Sequence, residues 1–334
     1  MNPTYYLETR SDDPTYNLAF EEYVLTHLRT GNYLILWQNR NAVIIGRNQN
    51  TAEEINSDFV KAHNISVVRR NTGGGAVYHD LGNLNYSFIT DAEDLSSRSA
   101  QKFTEPVVRV LRGLGLDAES SGRNDILVAG HKVSGTAQQI LKGRILHHGT
   151  LLFDSNPDMI SGALNPDPTK FQSKSVKSVR SRVGNIRSFL PVDMDLNHFW
   201  DYLKTALVSE GIVPISLSDA QLTAVRALKQ EKYDTWQWNY GTSPKYDLCV
   251  KRRWSGGLLE LRVSIQSGRI AALQIYGDFL ALTPIDSLQA ALLGCEYRRD
   301  VLEQTLSGIC LEECLGSITR EEFINTLMNQ TEAS

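Results

Sequence analysis

The first 248 of the 334 residues contain no cysteine; the only four are Cys249, Cys295, Cys310 and Cys314. A cysteine nucleophile before residue 249 is therefore excluded. A disulfide-stapled secreted scaffold would be shorter and denser in cysteine. Cys310 and Cys314 have one zinc-type spacing, but every histidine lies at or before His198, so no second ligand pair accompanies them. Long hydrophobic runs are missing as well. The longest unbroken apolar stretch is Tyr33–Trp37, and a membrane helix needs roughly 20 such residues. The opening Met-Asn-Pro-Thr-Tyr-Tyr-Leu-Glu has no basic start and no apolar h-region. The expectation is a soluble cytoplasmic protein without signal peptide or membrane partner. Surplus positive charge is also lacking: the net charge is −4, which argues against a nucleic-acid partner.

What is present is a globular composition, 41% apolar and 22% charged, in a chain long enough for about two domains. Positive charge is concentrated locally. No acidic residue falls between Asp167 and Asp193, where Lys170, Lys174, Lys177, Arg180, Arg182 and Arg187 lie. None falls between Asp125 and Asp154, where Lys132, Lys142 and Arg144 occur with His131, His147 and His148. An anionic ligand and a solvated basic loop both fit this pattern.

Asp13–Pro14 opens a helix to about Leu28. Short strands follow at Tyr33–Trp37 and Ala42–Gly46. Thr51-Ala-Glu-Glu54 reads as a capping box whose helix reaches about His63. Ile65–Arg70, Ala76–His79 and Asn85–Thr90 read as strands. A helix near Ala100–Leu114 ends at Gly115. Asp125–Ala129, Lys132–Ala137 and Arg144–Phe153 read as strands, with Ala129-Gly130-His131 as a hairpin turn. Helices near Leu196–Ser209 and Ser218–Lys229 precede a linker at Gly241–Lys245. Beyond it lie strands near Leu248–Trp254, Leu258–Gln266 and Arg269–Tyr276. Helices near Ile285–Leu293, Asp300–Leu306 and Arg320–Met328 follow, the last behind the capping box Thr319–Glu322. Hairpins mixed with helices favour an α+β fold with a mixed or antiparallel sheet. The expected division is 1–244 and 246–334.

Four segments carry chemistry. In Arg69-Arg70-Asn71-Thr72-Gly73-Gly74-Gly75-Ala76-Val77-Tyr78-His79-Asp80, three glycines expose backbone N–H groups beside two planar oxyanion donors. Neither the Walker nor the Rossmann glycine spacing is present. The bland reading is a tight turn, but a turn does not need three glycines and two arginines. Lys132, flanked by Gly130 and Gly135, is a candidate to point into a site, or an edge lysine that snorkels. Asp125 is the only acid between Glu119 and Asp154; it is a candidate Mg²⁺ ligand or an Asx turn. His147 and His148 face opposite sides of a strand, so only one points into a given pocket. The Lys170–Arg187 stretch reads as a loop that folds over an anionic intermediate.

Gly46-Arg-Asn-Gln-Asn50, Arg69–Asp80, Ser121–Asp125, Lys132–Gly135, His147–Thr150 and Ser178-Val-Arg-Ser-Arg182 together resemble the lipoate–protein ligase family, in the family's order. The resemblance implies a catalytic domain of the biotin/lipoate ligase type with a small α+β accessory domain. It implies ATP- and Mg²⁺-dependent activation of lipoate to lipoyl-AMP, then transfer to a lysine of lipoyl-domain acceptor proteins. Carried over by position, Arg70, Gly75, Ala76, Val77, Tyr78, Asn83, Lys132 and Arg182 are expected at ATP. Gly74, Lys132 and His148 are expected at lipoate, and Asp125 at the metal. Lys132 is the expected catalytic residue. Related transferases pass the acyl group through a cysteine thioester, which the cysteine-free stretch disfavours. A non-enzymatic lipoate or nucleotide carrier would have no use for Lys132 together with the basic loop.

Overall fold

The computed structural model describes residues 3–92, 100–121, 124–165, 183–207, 212–240, 248–266 and 268–328. Its strands before the linker are β1 (Thr4–Glu8), β2 (Asn32–Trp37), β3 (Ala42–Ile45), β4 (Ser66–Arg69), β5 (Val77–His79), β6 (Asn83–Asp91), β7 (Ala118–Ser121), β8 (Asp125–Val128), β9 (His131–Leu141), β10 (Arg144–Leu152) and β11 (Ile212–Pro214). Eight of them form one sheet in the order β11-β1-β2-β6-β10-β9-β8-β7. It is parallel at β11-β1-β2 and antiparallel elsewhere. A second, three-stranded sheet runs β4-β3-β5. The mixed α+β architecture expected from the sequence is present.

The apolar run Tyr33–Trp37 becomes a strand buried on both faces, which explains why it does not alternate with polar residues. Leu34 and Leu36 pack with Tyr6, Leu84 and Tyr86 beneath helices Ala100–Gly113 and Leu196–Leu207. Tyr33, Ile35 and Trp37 face the other way, toward helix Pro14–His27 and the small sheet's Ala42 and Ile44. The small sheet's opposite face, Val43 and Ile45, packs in a further cluster with Ile55, Val60 and Tyr78. The large and small sheets thus lie face to face with a gap between them.

Helix Pro14–His27 begins as expected, with the Asp13 carboxylate accepting from the Thr15 and Tyr16 amides. The Thr51 capping box does not form. Asn50 is the N-cap and the helix stops at Glu54. The Thr51 hydroxyl instead donates to the Asn239 carbonyl (2.6 Å) and accepts from Arg69 (2.6 Å). Ile55 bridges to Leu164, and Asn56 caps a second helix, Ser57–Ala62. Contacts with distant segments override the local motif. Strands β1, β7 and β11 are absent from the sequence reading. The latter two are short, polar or proline-containing sheet edges, where hydrophobic alternation is weak.

The Gly241–Lys245 linker lies outside the described residues. After it, β12 (Leu248–Trp254), β13 (Gly257–Gln266) and β14 (Arg269–Gly277) form an antiparallel sheet. Their core of Leu259, Leu261, Ile275, Leu288 and Phe323 is separate from the others. The Thr319–Glu322 capping box forms as expected. The segment Gly277–Leu282 reaches out of this unit and joins the rest of the chain. The Gly277 amide donates to Asn48, the Gly74 amide to Phe279, and the Ile140 amide to Leu282.

His147 is fully buried on the β10 face away from the small sheet, stacked on Phe103 at 5.0 Å. Burial holds its pKa down near 3, and neighbouring His148 adds to the effect. His79 is likewise lowered to about 3 by burial, then by Arg70 and His148. A folded-state pKa below the unfolded value near 6.5 means that the unfolded chain binds more protons in between. Stability from these neutral histidines is therefore full above pH 6.5 and lost as pH falls toward 3. The limiting slope is about 1.4 kcal/mol per pH unit for each. Denaturant titrations at stepped pH are expected to show this decline, and His147→Phe should flatten it.

Candidate active site

A cavity of about 290 Å³ occupies the gap between the two sheets. Trp37 (β2), Asn85 (β6), His148 (β10) and Lys132 (β9) line it from the large sheet, and Ile44, Val77 and His79 from the small one. Neighbouring strands lie roughly 4.8 Å apart. Trp37 and Lys132 lie on strands three steps apart, about 14 Å measured perpendicular to the strands. The Trp37 end is apolar, with Leu18 and Ile44; the Lys132 end is polar, with Asn124, Asp125 and Thr136.

The three glycines of the Gly73–Gly75 loop serve three different needs. A Cβ on Gly73 would stand 2.7 Å from the Phe279 carbonyl oxygen, so Gly73 admits the C-terminal segment. Gly74 has φ +91°, in the left-handed region that side chains disfavour. Its carbonyl would lie 1.9 Å from a Cβ on Gly46, so Gly46 is equally constrained. A Cβ on Gly75 would meet nothing within 4 Å, so that backbone is open to the cavity it lines.

Arg69 and Arg70 were expected as oxyanion donors, but their N–H groups are largely committed to the protein. Arg70 donates to the Thr72 hydroxyl (3.0 Å) and to the carbonyls of Ile44 (3.1 Å), Gly73 (2.7 Å) and Gly75 (2.9 Å). Arg69 donates to the carbonyls of Gly46, Arg47, Gln49, Trp238 and Asn239. Burial lowers both guanidinium pKa values to about 10, which leaves them charged at neutral pH. Arg70 still lines the cavity, but its main work is to hold the glycine loop.

A buried polar relay fixes this arrangement. Trp37 Nε1 donates to Ser87 Oγ (2.8 Å), which donates to Glu21 Oε1 (2.5 Å). Glu21 also accepts from His148 Nδ1 (2.9 Å), and His148 Nε2 accepts from the Thr72 hydroxyl (2.7 Å). The carboxylate can only accept, so the histidine proton sits on Nδ1. His148 therefore lines the wall with both nitrogens engaged, while His147 faces the opposite core, as strand alternation requires. The next helix residue repeats the scheme: Glu22 accepts from Lys232, which also donates to Asn71. Burial raises the Glu22 pKa, but Lys232, Asn71 and Tyr233 outweigh it and the net shift is downward.

Lys132 does point into the cavity, where its Nζ lies 2.7 Å from Asp125 Oδ1. A register shift between Ile126 and Leu127 interrupts the ladder beside it, as bulges near sites often do. A Cβ on Gly135 would stand 3.3 Å from both Lys132 Cε and Nζ, so the missing side chain gives the lysine room. The Lys132 carbonyl accepts from the Gly184 amide (2.9 Å), and Val183 bridges to Lys132.

Other expected residues are placed differently. Gly74, Gly75, Ala76 and Val77 line the cavity, but the Tyr78 side chain alternates away. Its hydroxyl donates to Asn41 (2.9 Å) and its pKa is raised to about 12 by burial, then by Asp80; only its backbone is left for a ligand. Asn83 stands behind the cavity and donates to Asn85, which does line it. Arg182 and the other cations from Lys170 through Arg180 lie outside the described residues. Arg187 is bound to Asp154 (2.7 Å) and Asp193 (3.0 Å) at the surface and does not line the cavity. The sequence reading missed Glu21, Thr72, Ser87, Trp37 and His79, and the Asp278 and Leu280 contribution from the C-terminal segment. Glu21 left a trace, an acid in the apolar half of a helix. Asp278 and Leu280 left none, because only tertiary folding brings them here.

Residues 13–208 match the family described as lipoyl protein ligase A/B catalytic domain, and residues 243–327 match the bacterial lipoate protein ligase C-terminus. Fold and site thus define a lipoyl ligase catalytic unit joined to its C-terminal companion. The similarity extends along nearly the whole chain. Lipoate-protein ligase LplJ of Bacillus subtilis is 43% identical over 321 residues, covering 95% of this chain and 97% of that protein. The bi-partite lipoate protein ligase of Thermoplasma acidophilum, described with its E2 lipoyl domain, superposes with TM-score 0.63 at 32% identity, covering 74% of this chain and 99% of that one. A lipoate-protein ligase A bound with ATP superposes with TM-score 0.61 at 30% identity, covering 72% and 98%. The chain belongs to the lipoate–protein ligase family.

Thr72→Val is expected to leave Arg70 Nε and His148 Nε2 without partners. Chemical denaturation should register a loss of about 1–3 kcal/mol.

Proposed function

We infer that this protein activates lipoate with ATP, forming lipoyl-AMP and pyrophosphate, and then transfers the lipoyl group to a lysine of a lipoyl-domain acceptor. The observation that carries the reading is one cavity lined by Lys132 and by an open glycine backbone, with an apolar wall at Trp37 three strands away from Lys132. That shape suits an acid with a polar head and an apolar tail. ATP use is supported by the ATP-bound relative, and the acceptor class by the relative described with its E2 lipoyl domain.

In the first half-reaction a lipoate carboxylate oxygen attacks the α-phosphorus. The bond to the bridging oxygen breaks, and pyrophosphate leaves with the electron pair. In the second, the acceptor amine attacks the acyl carbonyl, AMP leaves with the C–O electron pair, and the amine loses a proton. Both steps develop charge on oxygens near the mixed anhydride. Lys132 is placed to neutralise it in each, and the Gly75 backbone and the Ala76–Val77 stretch to hold the nucleotide. Tyr78 would contribute its backbone, Asn83 would act through Asn85, and Gly74 and His148 would wall the acyl chain. Arg182 would add charge from the basic stretch.

Mg²⁺ fits this donor set only as a cation carried with ATP. Among the described residues no three histidine, cysteine or acidic side chains gather. Asp125 Oδ1 faces Lys132, leaving the second oxygen to a hydrated ion. Bound there, Mg²⁺ would neutralise phosphate charge.

Residues 1–244 are read as the catalytic domain and 246–334 as the accessory domain. The proposed compartment is the cytoplasm. No described helix is long and apolar enough to cross a membrane. Acyl transfer through a cysteine is the competing reading, and none of the four thiols lines the cavity.

Pyrophosphate release from ATP and Mg²⁺ is expected to require lipoate. Lys132→Ala should slow it by about 10²–10³-fold. Release that Lys132→Ala leaves untouched would remove Lys132 from the mechanism. Lipoyl transfer between carrier domains without ATP would replace the ligase reading.

A further inference from the structure

Two adjacent carboxylates on the first helix end on two adjacent residues at the entrance to the glycine loop. Glu21 reaches Thr72 through His148. Glu22 reaches Asn71 through Lys232 and Tyr233. Lys232 Nζ donates to both Glu22 oxygens (2.9 and 2.8 Å) and to Asn71 Oδ1 (2.8 Å). The Tyr233 hydroxyl donates to Glu22 Oε2 (2.7 Å) and accepts from Asn71 Nδ2 (2.6 Å). Both ends of the Asn71 amide are thus taken by one pair of consecutive residues. That pair lies in a π-helical turn, Lys229–Tyr233, a departure from α geometry that recurs at functional sites.

The residues that follow hold the chain one step earlier. β4 is an edge strand of the small sheet, paired with β3 on one side only. At Arg69 its open side is met by two side chains. The Arg69 amide donates to Asn239 Oδ1 (2.9 Å), and Trp238 Nε1 donates to the Arg69 carbonyl (2.8 Å). Lys232 also lies over the Trp238 ring, 4.1 Å from its centroid. The segment from Lys232 to Asn239 therefore clamps the strand end just before the three glycines.

Lys232 has no donor left for chemistry. Its three N–H groups meet three oxygens, and it does not line the cavity. A buried ion pair adds little stability over apolar packing of the same volume. What a fully bonded network does supply is one fixed arrangement.

We propose that Lys232 is a positioning residue for the nucleotide: acting through Asn71, it sets the course of the Gly73–Gly75 backbone against which ATP binds. This rests on the reading above that the Gly75 backbone holds the nucleotide.

The test measures the dissociation constant for ATP by calorimetry on the full chain. Lys232→Met keeps the stem and removes the ammonium. Asn71→Leu keeps the Glu22–Lys232 pair and cuts its link to the loop. Each, shown to be folded by thermal melting, should weaken ATP binding on the order of tenfold. The double variant should lose no more than either single one, because both act on one path. Leu203→Ala truncates the core on the other face of the large sheet; it should lower the melting temperature and leave ATP binding unchanged. An unchanged constant in folded Lys232→Met, additive losses in the double variant, or an equal loss in Leu203→Ala overturns the proposal. If Lys232→Met does not fold, an unchanged constant in Asn71→Leu overturns it instead. Amide hydrogen exchange of the ligand-free protein reads the loop directly. Exchange at Gly74 and Gly75 should quicken in Lys232→Met and in Asn71→Leu but not in Leu203→Ala, and the same rates in all three also overturn it. Failure of the unaltered protein to bind ATP would instead fault the nucleotide reading, and the exchange rates would still decide whether Lys232 governs the loop.

Discussion

Three consecutive glycines have no side chains with which to hold a shape, so the Gly73–Gly75 loop takes its conformation from outside. Arg70 does this by capturing the carbonyls on either side of Gly74 while reaching back to Ile44 in β3. A buried guanidinium is costly unless its donors are met. Here four acceptors meet them. One of these, Thr72, is held by His148, and His148 by Glu21 on the first helix. The loop's geometry is thus tied to the central sheet and to a helix some fifty residues upstream in sequence. Weakening any member loosens backbone groups that a ligand would read.

Much of the layout was legible in the sequence, for a physical reason. Patterning, caps and turn residues are local, and they placed most strands and helices near their observed positions. Glycine at 115 and 130 and the Thr319 capping box acted where they stand. Lys132 was legible because a lysine between glycines in an apolar strand has few other uses. Side-chain direction was not legible. Arg70 and Tyr78 lie in the right segment, yet one is spent on carbonyls and the other turns into the Val43–Ile45 cluster. Partner choice depends on what the fold brings near, and no spacing in the chain encodes it. The Thr51 box failed for the same reason, since Arg69 and Asn239 claim its hydroxyl.

The two faces of the central sheet divide the work. One is packed with Leu34, Leu84, Val107 and Phe199. The other holds the polar relay, the gap and the small sheet. His147 and His148 show the division in adjacent residues: one ring is stacked on Phe103 with neither nitrogen bonded among the described residues, the other is bonded at both.

The segment Gly277–Leu282 has a consequence for when the site exists. Its Asp278 and Leu280 form part of the wall, and its Phe279 carbonyl anchors Gly74. A nascent chain acquires these residues only after both sheets of the preceding unit have been made. Until then the glycine loop lacks a tether and the cavity lacks a side. The order of translation therefore withholds the complete pocket from a half-made protein.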